Sequence, residues 1–76
     1  MTEQVIRLVY PPNVVDQPII SELIRTYSEL NINILRAEIG PKQAWLEAQV
    51  IGNPGLIQSA IAWLRAKGIE VQTLGA

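Results

Sequence analysis

The sequence contains neither cysteine nor histidine among its 76 residues. Without cysteine, the chain can form no disulfide, offer no thiol nucleophile and supply no ligand set for an iron–sulfur cluster. Without histidine, it lacks the commonest general base and the commonest transition-metal ligand. No two of its seven acidic residues have a spacing typical of acid–base catalysis. We therefore expect no enzymatic activity, no metal and no cofactor.

A surplus of positive charge and long apolar runs are also absent. Six basic residues stand against seven acidic ones, so the net charge is −1 and nothing favours the binding of nucleic-acid phosphates. No apolar stretch reaches the roughly 18 residues of a membrane-spanning helix, which predicts no membrane insertion. The start, Met-Thr-Glu-Gln, has neither the basic nor the apolar region of a signal peptide, so we expect a cytoplasmic protein.

Apolar residues, by contrast, are plentiful. Hydrophobic residues make up 49% of the chain and charged residues only 17%. That composition is too apolar for a disordered chain, and the length allows one domain at most, covering residues 1–76. Because a small domain has little polar surface with which to cover its core, the apolar surplus predicts self-association, most simply as a twofold homodimer, or a partner.

Four segments have the pattern of β-strands. They are rich in β-branched residues, show no helical period and are bounded by proline, glycine and asparagine. The predicted strands cover residues 5–10, 33–39, 44–51 and 69–74. A turn at residues 40–43 joins the second and third strands into a hairpin.

Two segments have the pattern of helices. The first is predicted over residues 17–30, with Asp16 as its N-cap and apolar residues at helical spacing. The second begins at Pro54, directly after Asn53, which can cap it, and ends at Gly68. The order is therefore βαββαβ. Right-handed crossovers place both helices on one face of a four-stranded antiparallel sheet, which is an α+β, ferredoxin-like plait.

The face of the sheet that carries no helix, here called the open face, must meet water or a partner. By alternation it should carry a mixed set of side chains: Val5, Arg7, Val9, Ile34, Arg36, Glu38, Trp45, Glu47, Gln49 and Gln72. Trp45 is either an isolated exposed aromatic or part of an interface or ligand pocket. A lone aromatic among acidic and amide residues argues against the stacking of RNA bases. Glu38 and Glu47 could face each other across the hairpin, although surface pairing of each with Arg36, Arg7 or Lys42 is the simpler arrangement.

Two asparagines, Asn31 and Asn33, interrupt the apolar run that leads into the second strand. Asparagine is disfavoured in strands because its amide competes with the backbone for hydrogen bonds. The simpler interpretation is that Asn33 satisfies backbone groups in the turn from helix to strand. The alternative is that Asn33 is a buried amide whose partner is a ligand, because buried amides require hydrogen-bond partners.

The tripeptide Asn33-Ile34-Leu35, which opens the predicted second strand, spells the motif that names the NIL domain. The sequence resembles that family over essentially its whole length. Residues 15–18, 60–64 and 71–75 are similar to the start of the family's first helix, its second helix and its last strand. The family is best known at the C-terminus of the ATPase subunit of bacterial methionine importers. The resemblance implies a ferredoxin-like or ACT-like fold.

In the importers, this domain pairs with its twin, binds methionine near the contact between the two copies and restrains transport. The resemblance therefore implies a regulatory domain that binds a small molecule, with methionine as the first candidate amino acid. An amide offers both donors and an acceptor, so Asn33 would fix the amino or carboxylate group of the ligand. Ile32 and Ile34 would line the pocket, Trp45 and Arg36 would form its rim or an interface, and a second copy would complete it.

The chain also departs from the family. It contains no ATPase domain, which predicts a stand-alone regulator, and its hairpin at residues 40–43 is short beside the family's glycine-rich loops. The alternative hypothesis is an adaptor that binds an unidentified protein partner through the open face, without a small ligand. The two hypotheses differ in whether the surroundings of Asn33 form an open pocket or are packed shut.

Overall fold

The computed structural model describes residues 1–12, 17–41 and 43–75. In chain order its elements are β1 (Thr2–Tyr10), α1 (Ile19–Thr26), β2 (Asn31–Ile39), β3 (Ala44–Gly52), α2 (Pro54–Ala66) and β4 (Glu70–Gly75). The strands form one antiparallel sheet in the order β2-β3-β1-β4. The predicted α+β, ferredoxin-like βαββαβ plait is therefore confirmed.

Both helices cover the same face of the sheet and share one hydrophobic core. Alternation along β1 buries Ile6 and Leu8 and leaves Arg7 on the open face. The core joins these residues to others from both helices and the remaining strands: Ile19, Leu23, Leu30, Leu46, Ala48, Val50, Ile57, Ala60, Ile61, Leu64, Ile69 and Val71. A single core of this kind leaves the open face without a covering layer.

The first helix is shorter than predicted, because α1 ends at Thr26 rather than at residue 30. Tyr27 leaves the helical conformation, with φ −116° and ψ 56°, and its hydroxyl donates a hydrogen bond to the carbonyl of Ser59 at 3.2 Å. Its ring packs edge-on against Trp63, with 6.3 Å between the ring centroids. These contacts fix the end of α1 to α2, and the chain then turns so that Leu30 enters the core.

The two helices begin differently. The side-chain oxygen of Asn53 accepts hydrogen bonds from the backbone N–H groups of Gly55 and Leu56 at 2.8 and 3.3 Å, so the predicted cap of α2 is confirmed. Pro18 precedes α1 and makes no side-chain cap. Asp16, the predicted N-cap of α1, lies outside the described residues, as does Lys42 in the predicted turn of the hairpin.

A bulge in β2 changes which face its side chains occupy. Ile34 lies opposite the buried Ala48, whereas Arg36 lies opposite Glu47, so Leu35 is the extra residue between them. Directly opposed side chains share a face of the sheet, so Ile34 lies on the helix side. The prediction that Ile34 occupies the open face is therefore wrong, because strict alternation makes no allowance for the one-residue shift of a bulge.

Candidate functional site

Four side chains in the middle of the open face form a group that we call the open-face cluster: Arg7 of β1, Arg36 of β2, and Trp45 and Glu47 of β3. Glu47 lies directly opposite Arg7 on one side and Arg36 on the other. Its Oε1 accepts a hydrogen bond from the Nε of Arg36 at 2.6 Å. Its Oε2 lies 3.4 Å from the Nε of Arg7. The cluster therefore places one carboxylate between two guanidinium groups.

The arginines also cover the aromatic ring of the cluster. The guanidinium carbon of Arg7 lies 4.4 Å from the centroid of the Trp45 ring, and that of Arg36 lies 5.9 Å from it. Cations at these distances are attracted by the ring quadrupole, typically by about 0.5–1 kcal/mol at exposed sites. As a result, Trp45 is half-buried, and Glu47 is only 7% exposed although it lies on a face without a helix.

Glu47 interacts differently with the two arginines of the cluster. The hydrogen bond to Glu47, together with the attraction between the two charges, raises the pKa of the Arg36 guanidinium. Arg36 therefore remains a cation at any physiological pH. Among the described residues, the Nε of Arg7 is the buried side-chain atom for which no hydrogen-bond partner is found. The buried carboxylate thus accepts a hydrogen bond from the Nε of Arg36, whereas it compensates Arg7 only through its charge.

Asn33 is placed differently from the sequence-based expectation. It is the third residue of β2 rather than the residue that opens the strand, and it is exposed on the open face rather than buried. Its Nδ2 donates a hydrogen bond to the Oε1 of Gln49, its cross-strand neighbour, at 3.3 Å. The interpretation that Asn33 lies in the turn from helix to strand is wrong, because Asn31 and Ile32 extend the strand beyond the predicted start. The expected burial of the amide is wrong as well, because Asn33 is exposed.

The structure brings together three of the five predicted site residues. Asn33, Arg36 and Trp45 all lie on the open face, in adjacent cross-strand rows. Ile32 and Ile34 lie on the helix side of the same strand, and Ile34 is 53% exposed. Within one copy of the chain, therefore, the amide and the two isoleucines do not surround a common space.

The predicted pairing of Glu47 with arginines is confirmed, although Arg7 and Glu47 were not among the predicted site residues. Glu38 lies opposite Trp45 rather than opposite Glu47, because the bulge at Leu35 sets the register of this part of β2. The burial of Glu47 was also missed. The signal that could have found it is the placement of an arginine at the facing position of each neighbouring strand.

An apolar cavity lies on the helix side, between the start of α1, the end of β2 and the start of β3. Its volume is about 200 Å³. Apolar and aromatic side chains form much of its wall, including Tyr10, Ile19, Ile20, Ala37, Ile39 and Leu46. Burial against these residues raises the pKa of the Tyr10 hydroxyl above its ordinary value of 10.0.

The raised pKa of Tyr10 predicts a loss of stability in alkali. Tyr10 ionises near pH 10 in the unfolded chain and only at higher pH in the folded chain, so ionisation favours the unfolded state. The stabilisation is therefore fully present below about pH 10 and declines as the pH rises through the folded pKa. Urea denaturation at about pH 9 and about pH 11 should show a larger fall in the free energy of unfolding for the parent than for Tyr10→Phe. Parallel falls in the two proteins would contradict the prediction.

The described residues contain neither a group of metal ligands nor a membrane-spanning helix. Within residues 1–12, 17–41 and 43–75, no group of three acidic side chains is placed to hold a metal ion. None of the helices in these ranges is long and apolar enough to cross a membrane.

Comparison with protein families identifies relatives over nearly the whole chain. The model of the family described as "NIL domain" matches residues 4–73. The methionine import ATP-binding protein MetN of Burkholderia thailandensis is 41% identical over 73 residues, which cover 91% of this chain and 21% of that protein. MetN 1 of Burkholderia ambifaria is 42% identical over 73 residues, which again cover 91% of this chain and 21% of that protein. The chain thus spans about a fifth of the length of the curated relatives that it matches.

Solved structures agree with this result. The C-terminal domain of an ABC transporter ATP-binding protein from Enterococcus faecalis superposes with a TM-score of 0.81 and 25% identity, covering 95% of this chain and 83% of that one. The de novo designed protein Foldit4 has a TM-score of 0.62 at 12% identity, which shows the shared fold alone.

The fold and the structural neighbours define the class: an α+β plait of the kind that forms the C-terminal domain of an ABC transporter ATP-binding protein. The family match covers most of the chain, and the tripeptide Asn33-Ile34-Leu35 lies within it. The chain belongs to the NIL domain family.

Proposed function

We propose that the chain is a non-catalytic regulatory domain that binds an amino acid, with methionine as the first ligand to test. The observation that carries the proposal is the exposed amide of Asn33 on β2, in the cross-strand row next to that of Arg36, in a member of the NIL domain family. An amide and a guanidinium together offer the hydrogen bonds that an amino acid's charged groups require. The names of the relatives, methionine import ATP-binding proteins, supply the choice of methionine.

A second copy of the chain is part of this proposal. β2 is an edge strand of nine residues, and its outer backbone groups are available for pairing with another strand. Three apolar side chains along it are substantially exposed: Ile34 at 53%, Leu35 at 55% and Ile39 at 80%. A twofold partner at this edge would cover them. It would also supply the second wall that Asn33, Ile32 and Ile34 lack in one copy.

The Asn33→Ala variant tests the ligand site. Because the amide is exposed, its loss should change the free energy of unfolding by no more than about 0.5 kcal/mol. L-methionine should raise the melting temperature of the parent and fail to raise that of Asn33→Ala. Asn31→Ala is the matched control, because Asn31 is also an exposed asparagine of β2 and also lies opposite a residue of β3. It should respond to methionine like the parent.

Calorimetric titration with a panel of amino acids completes the test. If no amino acid binds the parent or shifts its melting temperature, the amino-acid-binding proposal is wrong. If Asn33→Ala melts lower in the absence of any ligand, Asn33 has a structural role. Sedimentation at micromolar concentration addresses the second copy, since a monomer that persists at high concentration would contradict the dimer.

One observation favours a second candidate, an adaptor that binds a protein partner through the open face. The open-face cluster contains two arginines stacked over a tryptophan, and both residue types are enriched at protein interfaces. An adaptor would keep its partner binding in Asn33→Ala and lose it when Trp45 is replaced by alanine. Methionine would have no effect on its melting temperature.

A further inference from the structure

The guanidinium of Arg36 is held at one edge and open at the other. Its Nε donates to Glu47, while its two Nη groups make no hydrogen bond to any described residue. The side chain as a whole is 70% exposed, whereas that of Glu47 is 9% exposed. A buried carboxylate therefore fixes the orientation of an arginine whose outer donors point towards solvent. This arrangement lowers the entropy cost of using those donors for a ligand.

Asn33 lies one cross-strand row away from Arg36 on the same face of the sheet. Asn33 and Arg36 are opposite Gln49 and Glu47, which are alternate residues on the same face of β3. Alternate residues on a strand are about 7 Å apart, a gap that a carboxylate bound by both side chains can bridge. The neighbour of Arg36 on its other side is Glu38, opposite Trp45. Because Glu38 would repel an anion, the favourable side for a negative group is the one towards Asn33.

The open-face cluster also carries an excess of positive charge, which favours the binding of an anion. Two guanidinium groups share the single carboxylate of Glu47, and the buried Nε of Arg7 has no hydrogen bond. We propose that Arg36 binds the carboxylate of the amino-acid ligand between itself and Asn33, and that Glu47 is the positioning residue that orients Arg36. This inference rests on the proposed function and deepens it by assigning the carboxylate end of the ligand.

The test compares L-methionine with methioninol, in which a CH2OH group replaces the carboxylate, by calorimetric titration of the full chain. The parent should bind methionine about tenfold or more tightly than methioninol, because a charge-assisted pair with the carboxylate is lost. In Arg36→Gln, methionine affinity should fall by about the same factor and methioninol affinity should not change. Arg25→Gln is the matched control, because Arg25 is an exposed arginine in the last turn of α1, on the helix side. It should bind both compounds like the parent.

Two further variants separate orientation from charge. Arg36→Lys keeps the charge but loses the planar fork of donors, so its preference for methionine over methioninol should be intermediate. Glu47→Gln should lower methionine affinity without lowering methioninol affinity, which a merely structural role for Glu47 would not do. Circular dichroism of each variant confirms that it is folded before titration.

The outcomes distinguish this inference from the proposed function. If Arg36→Gln binds methionine as tightly as the parent does, the assignment of the carboxylate is wrong and the amino-acid-binding function stands. Equal affinity of the parent for methionine and methioninol would likewise overturn the assignment alone. If neither of these compounds nor any other amino acid of the panel binds the parent, the proposed function fails, and the carboxylate assignment fails with it.

Discussion

The Leu64→Ala variant is expected to lose about 2–5 kcal/mol of unfolding free energy. Leu64 lies on α2, is 0% exposed and belongs to the core that both helices and the sheet share. Truncation removes its transfer free energy and leaves a cavity that the surrounding strands can fill only in part. A domain of this length has a total stability of about 4–11 kcal/mol, so much of that margin would disappear.

Urea denaturation of the parent and of Leu64→Ala measures this loss. Leu74→Ala is the matched control, because Leu74 is a leucine of β4 that is 50% exposed. Leu74→Ala should lose less than about 1 kcal/mol of unfolding free energy, since the leucine side chain already contacts water in the parent. If the two variants are equally stable, α2 does not pack on the sheet as described.

The architecture was predictable because periodicity reports burial directly. The strict alternation of β3 places Ala44, Leu46, Ala48 and Val50 on one face, and all four are buried. The two ends of α2 are equally clear in the sequence, since Asn53 caps its start and Gly68 follows its end. These signals are local, and each depends on a few neighbouring residues.

The end of α1 and the bulge of β2 were not predictable by the same route. The helical stripe continues through Leu30, which is buried whether the chain is helical or turning, so periodicity cannot show where α1 ends. Ile34 and Leu35 are both apolar, and their order does not reveal which is the extra residue of the bulge. In both cases the outcome depends on contacts between residues distant in sequence, such as that of Tyr27 with Ser59.

The candidate site was predictable only in part, for the same reason. Asn33 and Trp45 stand out in the sequence as an amide in a strand and as a lone open-face aromatic. The role of Glu47 depends on the alignment of three strands, which sets Arg7 and Arg36 on its two sides. The sequence places these charges on one face, but the register is what turns them into a cluster.

The Glu47→Gln variant is expected to lose about 1–3 kcal/mol of unfolding free energy. The carboxylate is 7% exposed and accepts a hydrogen bond from Arg36 at 2.6 Å. Glutamine keeps the size of the side chain and one acceptor, but it removes the charge that compensates Arg7 and Arg36. Because Arg36 is 70% exposed, water solvates it after the change, so the loss stays below the roughly 3–5 kcal/mol found for fully buried pairs.

Comparison with the two arginine variants locates the source of this effect. Urea denaturation should rank Glu47→Gln as the least stable, followed by Arg7→Gln and then Arg36→Gln, because the side chain of Arg7 is 36% exposed and that of Arg36 is 70% exposed. The double variant Arg7→Gln/Glu47→Gln should lose less than the sum of the single losses, since it removes a cation together with its counter-ion. Salt should weaken the contribution of the exposed Arg36 more than that of Arg7. A loss below about 0.5 kcal/mol for Glu47→Gln would mean that water solvates the carboxylate despite its burial, and that the cluster does not hold it.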